Sequence, residues 1–167
     1  MGSWDTSSVT NMSGMFMNAV SFNGNVSNFD VSSVADMSRM FKGARSFNIG
    51  LYNWVTINVK DMSSMFEDAE SFIGDGLKFW DVSNVTDMSR MFNGAISFDQ
   101  DISSWDYSNV VSFSFYISGT NLSVENYDKF LIKIVENHID GPYSLPVFQD
   151  FRNGLSYCES ESQRDYP

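Results

Sequence analysis

Apolar and aromatic residues return along this chain at one long interval. Aromatic anchors stand at Trp4, Phe29, Trp54, Trp80 and Trp105, spaced 25, 25, 26 and 25 residues apart, a period in the range of solenoid repeats. In that register the columns Val9, Val34, Val59, Val85, Val110 and Phe16, Phe41, Phe66, Phe92, Ile117 are apolar throughout. So are Ala19, Ala44, Ala69, Ala95 and Phe22, Phe47, Phe72, Phe98. Methionine fills two more columns, Met12, Met37, Met62, Met88 and Met15, Met40, Met65, Met91, which Phe113 and Tyr116 close. Units that repeat their apolar pattern at a fixed interval bury it by stacking on one another, so five coils are expected, the fifth degenerate.

Within one coil, Met37, Met40, Phe41 and Ala44 follow i, i+3, i+4, i+7 spacing, which gathers side chains on one helical face and predicts a short helix. Asn11, Asp36, Asp61 and Asp87 precede that segment as helix caps, and Gly43 and Gly94 suit a left-handed end. Residues 25–31 and 101–107 hold more β-branched and aromatic residues and read as short strands. Strands one coil apart would pair in parallel, giving a curved α/β solenoid with one short strand and one short helix per coil. The extra residue of the third coil, around Ile73-Gly74-Asp75-Gly76, is expected to bulge outward.

The period stops after Gly119. From an N-cap at Ser123, Tyr127, Phe130, Leu131, Ile134, Val135 and His138 keep helical spacing, predicting an amphipathic helix over about 124–138. The domain reading is therefore a repeat solenoid over 1–120 and a C-terminal cap over 121–167, since terminal repeats need a cover. Met1-Gly2-Ser3 leads straight into an anchor, so N-terminal coils are expected to be missing. An uncapped first coil invites strand addition and hence self-association.

Composition and charge narrow the function. The chain is 43% hydrophobic with 16% aromatic residues, a composition that folds. A net charge of −11 and a pI near 4.2 disfavour nucleic acid and anionic membrane, both of which need a basic face. No apolar run is long enough to span a bilayer, and residues 1–4 lack the character of a secretion signal. The lone cysteine, Cys158, permits no internal disulfide and is read as a buried thiol. With one histidine, His138, and no phosphate-cradling or paired-histidine motif, no catalytic residue and no cofactor is assigned, and the chain is not read as an enzyme.

An acidic column, Asp5, Asp30, Asp81 and Asp106, follows the anchors and is broken at Val55. Stacked carboxylates can hold calcium or a cationic partner; the plainer reading, turn caps on a soluble surface, is favoured because the spacing is sparser than in calcium loops. Asp99-Gln100-Asp101 comes nearest to such a loop. The methionine columns suit core packing better than soft-metal binding. Four Asn-x-Ser/Thr sequences, at Asn11, Asn25, Asn84 and Asn121, carry little weight in a repeat rich in both residues.

The unit Trp80-Asp81-Val82-Ser83-Asn84-Val85-Thr86-Asp87-Met88-Ser89-Arg90-Met91-Phe92-Asn93-Gly94-Ala95-Ile96-Ser97-Phe98 closely resembles the repeat of the BspA-like leucine-rich-repeat surface proteins, also described as mycoplasma lipoprotein-type repeats. The resemblance covers Trp4 to about Gly119. The run from Gly119 to Asp128, with Tyr157-Cys158 and Arg164, looks like the cap that ends such arrays. Coil 3 departs from the pattern at Val55 and at Ile57-Asn58. The resemblance implies leucine-rich-repeat-like, right-handed coils, an extracellular or cell-surface location, and adhesion or protein contact.

Recognition of a protein or glycan is therefore expected along the exposed face, through the acidic column and Ser27, Asn28, Ser103 and Ser104. A structural spacer is the alternative, and ice or mineral binding is disfavoured because Thr6, Val31, Thr56, Val82 and Tyr107 form no regular hydroxyl array. Interface-type residues on the exposed face would favour recognition; a uniformly polar face would favour the spacer.

Overall fold

The computed structural model of the chain describes residues 4–114 and 116–138, the last of these by its backbone alone. Single parallel bridges join Asn11 to Asp36, Asp36 to Asp61, Asp61 to Asp87 and Asp87 to Ser112. One register thus runs through all five coils, which begin at Trp4, Phe29, Trp54, Trp80 and Trp105.

The segment expected to be a short helix is a chain of turns. Every second N–H crosses to the following coil: Met37, Arg39, Phe41 and Gly43 donate to the carbonyls of Asp61, Ser63, Met65 and Glu67 at 2.7–3.0 Å. The N–H groups between them close turns three residues back, Met40 to Met37, Lys42 to Arg39 and Ala44 to Phe41. Two residues per coil adopt left-handed φ, Gly14, Arg39, Ser64, Arg90 in one column and Asn18, Gly43, Asp68, Gly94 in the other, at 55–72°. A left-handed residue at every fourth position ends any α-helix.

The cause is the neighbouring coil. It offers each N–H a carbonyl across the gap, and the Ser, Gly, Asn and Asp of these columns have little intrinsic preference for helix. At Gly43, φ is 69° and a Cβ would lie 2.6 Å from Asn18 Oδ1, so a side chain there would take on left-handed strain and require the Asn18 side chain to shift.

The expected strands are likewise turns, closed by side chains. Asn25 Oδ1 accepts from the N–H and hydroxyl of Ser27 at 2.9 and 2.7 Å, and Asp101 Oδ1 does the same for Ser103. Asn and Asp satisfy local backbone donors in this way and so compete with a strand ladder. Between coils, Asn58, Asn84 and Asn109 donate Nδ2–H to the carbonyls of Ser32, Ile57 and Ser83. Asn84 is thus committed to holding two coils together.

Inside the stack the aromatic columns become continuous. Trp54, Trp80 and Trp105 lie nearly parallel, 5.9 and 6.3 Å apart, and each donates Nε1–H to a carbonyl 28 or 29 residues back, that of Val26, Leu51 or Leu77, near the end of the coil before the preceding one. Phe41, Phe66 and Phe92 stack at 5.6 and 5.7 Å, each with its own coil's Phe47, Phe72 or Phe98 at 3.9–4.0 Å. The methionines of coils 2 to 4 in both columns are fully buried beside them.

The insertion in coil 3 does not bulge outward. Gly74 and Gly76 are buried with φ of 90° and 91°, Leu51 N–H donates to Asp75 O at 2.9 Å, and a single 3₁₀ turn, Leu77–Phe79, buries Leu77. A Cβ on Gly76 would meet the Tyr52 nitrogen at 2.6 Å. Glycine lets the extra residue tuck against the preceding coil, where it gains hydrogen bonds that an outward loop would lose.

Helix α1, Val124–His138, closes the C-terminal end. Phe130 and Ile134 are fully buried, with Phe130 5.7 Å from Tyr107 and 5.3 Å from Tyr116. At the other end Phe16 and Phe22 are only half-buried and Met15 is 38% exposed, whereas their coil 2 counterparts Phe41, Phe47 and Met40 are wholly buried. The remainder of the expected cap, including Cys158, Tyr157 and Arg164, lies outside the described residues, as does the His138 side chain.

Candidate recognition edge

The residues singled out from the sequence lie on the turns that carry the anchors, along one edge of the stack. Asp5, Asp30, Asp81 and Asp106 are all exposed. Each uses Oδ1 to accept from the N–H and hydroxyl of the serine two residues on, Ser7, Ser32, Ser83 or Ser108, at 2.5–3.1 Å. The serine hydroxyl, then the serine N–H, hold the Asp5, Asp30 and Asp106 carboxyls below the usual carboxylate range. In coil 3 the cap is absent, and Thr56, buried, donates its hydroxyl to the Asp81 carbonyl instead.

The geometry brings only part of the expected set together. Ser27, Asn28 and Asp30 line a shallow groove of about 320 Å³ with Phe29, Val31, Asn53 and Val55. Ser103 and Ser104 lie away from it: the Ser103 hydroxyl donates to Asp101 and that of Ser104 to the Lys78 carbonyl.

Asp99 and Asp101, the calcium candidates, serve α1. Asp99 Oδ1 accepts from Ser123 N–H, the Ser123 hydroxyl and Asn126 Nδ2 at 2.8–2.9 Å. Asp101 pairs with Lys129 at 3.1 Å. Together they fasten the helix start to the stack, where an acidic group also suits the positive end of the helix dipole. Among the described residues no three acidic, histidine or cysteine side chains gather as a metal-binding group.

The sequence reading gives three exposed apolar residues on this edge no binding role: it marks Val55 only as the break in the acidic column and singles out neither Tyr52 nor Phe79. Tyr52, Val55 and Phe79 are 54%, 55% and 62% exposed. The Tyr52 and Phe79 rings are 6.2 Å apart and tilted by 48°, and Lys78 Nζ lies 5.0 Å from the centre of the Phe79 ring. A signal was available: Tyr52 occupies the column of Ser27, Lys78 and Ser103, and Phe79 that of Asn28, Asn53 and Ser104. An aromatic in a polar column has no core to fill, so its presence asks for another partner. Val55 and Asn53, the neighbour of Tyr52 in sequence, line the groove.

Among the described residues one charged group is buried elsewhere. Glu67 is 6% exposed and pairs with Lys42 at 2.7 Å and Arg90 at 3.7 Å. Burial pushes its carboxyl up, but hydrogen bonds from Lys42 and Ser64 and the two nearby cations outweigh that and leave it below its usual range. This triad ties coils 2, 3 and 4 together. No helix among the described residues is long and apolar enough to cross a membrane.

A family model described as "Mycoplasma protein of unknown function, DUF285" matches the chain twice, over residues 1–79 and over 52–141. The two matches overlap and begin two coils apart, as they should when the model itself spans several units of one repeat. No curated protein matches the chain, and no solved structure does.

Proposed function

The chain belongs to the Mycoplasma family DUF285, and from that premise we propose that it is a non-enzymatic cell-surface recognition module, binding a protein or glycan along the edge that carries Tyr52, Val55 and Phe79. In this reading the stack is a turn-rich, leucine-rich-repeat-like solenoid of the BspA-like kind, working outside the cell. The observation that carries the proposal is the exposed Tyr52–Phe79 pair beside Val55 and the groove. Large apolar side chains grouped on a polar surface mark interaction sites, and aromatic residues dominate the energetics of such sites. The capped aspartates supply a rim of fixed negative charge that steers and orders a partner more than it adds affinity.

The test is a screen of the intact chain against glycan and matrix-protein arrays, with and without calcium, followed by Tyr52→Ala and Phe79→Ala. A specific hit should weaken by roughly thirtyfold per substitution, the effect of removing about 2 kcal/mol of hot-spot contact. Both rings are exposed, so these variants should melt like the parent. Binding that survives the double substitution would move the site elsewhere, and no hit under either condition would leave the spacer reading.

A further inference from the structure

The acidic column on the recognition edge changes character once. In coil order it reads Asp5, Asp30, Val55, Asp81, Asp106, so coil 3 sets an aliphatic side chain between two carboxylates. Val55 is 55% exposed, and with Asp30 it lines the groove of about 320 Å³. It is one of three large apolar side chains exposed on this edge, with Tyr52 and Phe79, and not an isolated surface residue.

Asp30 and Asp81 each commit Oδ1 to the serine two residues on, and among the described residues neither enters an ion pair. Further toward α1 the acidic groups have cations at hand. Asp101 pairs with Lys129 at 3.1 Å, and Asp106, besides its Ser108 bonds, has Lys133 near enough to favour its ionised form. Lys78, in the column of Tyr52, holds its ammonium 5.0 Å from the centre of the Phe79 ring and makes no ion pair with Asp81. Uncompensated negative charge therefore stands on both sides of Val55, within a chain whose net charge is −11.

Stacked rings of successive coils stand 5.6–5.9 Å apart from coil 2 to coil 4, and the same step spaces the turns that carry Asp30, Val55 and Asp81. Side chains on one face of an extended peptide recur at about 6.6 Å. Residues i, i+2 and i+4 of such a peptide therefore meet three consecutive coils, and the long stems of lysine or arginine absorb the difference of about 1 Å per step. On the reading of this edge as a recognition site, we infer that the partner is a protein offering an extended basic segment, with lysine or arginine at i and i+4 against Asp30 and Asp81 and an aliphatic side chain at i+2 against Val55.

The alternation of charge along the edge argues for this occupant. An acidic segment is repelled at both flanking positions, and a wholly basic one sets its central cation on Val55, where its desolvation goes uncompensated. A neutral glycan offers hydroxyls but no positive charge to the two carboxylates. The negative field of the whole chain also draws a basic partner in from a distance, a pull that salt screens.

Fluorescence anisotropy of labelled synthetic peptides on the intact chain tests this. A peptide reading Lys-x-Leu-x-Lys, with threonine at x, should bind about tenfold more tightly at low salt than Gln-x-Leu-x-Gln, since two exposed ion pairs contribute a factor of roughly two to five each. Asp30→Asn together with Asp81→Asn should remove that advantage while keeping the side-chain oxygens that cap Ser32 and Ser83. Val55→Asp places in coil 3 the residue found at this position in the other four coils and should make Lys-x-Lys-x-Lys the tightest ligand instead. Equal binding of the lysine and glutamine peptides, or no binding of the lysine peptide, overturns the inference. If that peptide is inert, yet a neutral glycan binds and is lost in Phe79→Ala, the inference fails while the recognition edge stands. Lysine-peptide binding that is indifferent to changes at Asp30, Asp81, Val55, Tyr52 and Phe79 overturns the inference and the edge together.

Discussion

Truncating Phe66 to alanine should destabilise this protein far more than the same change at Phe16, although the two residues occupy one column of the repeat. Phe66 is wholly buried in coil 3. Its ring touches Phe41 at 5.6 Å, Phe92 at 5.7 Å and its own coil's Phe72 at 4.0 Å. Phe16 has coil 2 on one side only and is half-buried. A buried Phe→Ala change costs about 3–5 kcal/mol, and at Phe66 the cavity is walled by rings from three coils that cannot close over it. About 4 kcal/mol is a large part of the ~5–15 kcal/mol typical of a domain and lowers Tm by on the order of 8–16 °C for a chain of this size.

Phe16→Ala removes less buried area and leaves a gap open to water, so about 2 kcal/mol and roughly 4–8 °C are expected. Tryptophan fluorescence during urea unfolding reports the change, because Trp54, Trp80 and Trp105 stand along the same core. A conservative Phe66→Leu should recover part of the loss. Equal losses at Phe66 and Phe16 would mean that the rings contribute within their own coil and that stacking adds nothing, which would refute the reasoning.

The pH dependence has a definite sign. Asp5, Asp30, Asp101, Asp106 and Glu67 are all held below their ordinary values of 3.8 and 4.5, so their contribution is full above that range and is lost as pH falls through the lowered values. The urea midpoint should therefore be flat down to about pH 5 and then fall toward about pH 2.5, and a constant midpoint across that window would contradict it. Tyr116→Phe should leave stability unchanged or raise it by up to about 1 kcal/mol, since the Tyr116 hydroxyl is buried beside the Tyr107 hydroxyl without a well-formed hydrogen bond among the described residues, while the Tyr107 hydroxyl donates to the Ile102 carbonyl; a thermal melt decides, and a clear drop would show that the Tyr107–Tyr116 contact is a stabilising hydrogen bond. Asp99→Ala removes three bonds to Ser123 and Asn126 and should speed amide exchange in α1 while leaving coils 2 to 4 protected; uniform acceleration would show that the cap and the stack open as one unit.

The amino-acid sequence by itself determined which residues are buried. Side chains that recur at 25 or 26 residues must fall into columns once the coils stack, and the valine, phenylalanine, methionine and alanine columns are the core of coils 2 to 4. Local spacing likewise marked α1, where no neighbouring coil competes for the backbone and helical bonds are the available way to satisfy it. The turn-capping role weighed for the acidic column was legible as well, because an Asp two residues before a Ser needs only local chemistry.

Tertiary structure decided the rest. Apolar residues at i, i+3, i+4 and i+7 point inward in a helix and in a chain of turns alike, and the choice between them rested on carbonyls that another coil supplies 24 residues away in sequence. The acidic residues placed as possible calcium ligands, Asp99 and Asp101, became anchors only when α1 arrived beside them. The polar columns that hold Tyr52 and Phe79 marked them as surface residues, but they became a pair only because consecutive coils place those columns side by side, outside a core that was already full.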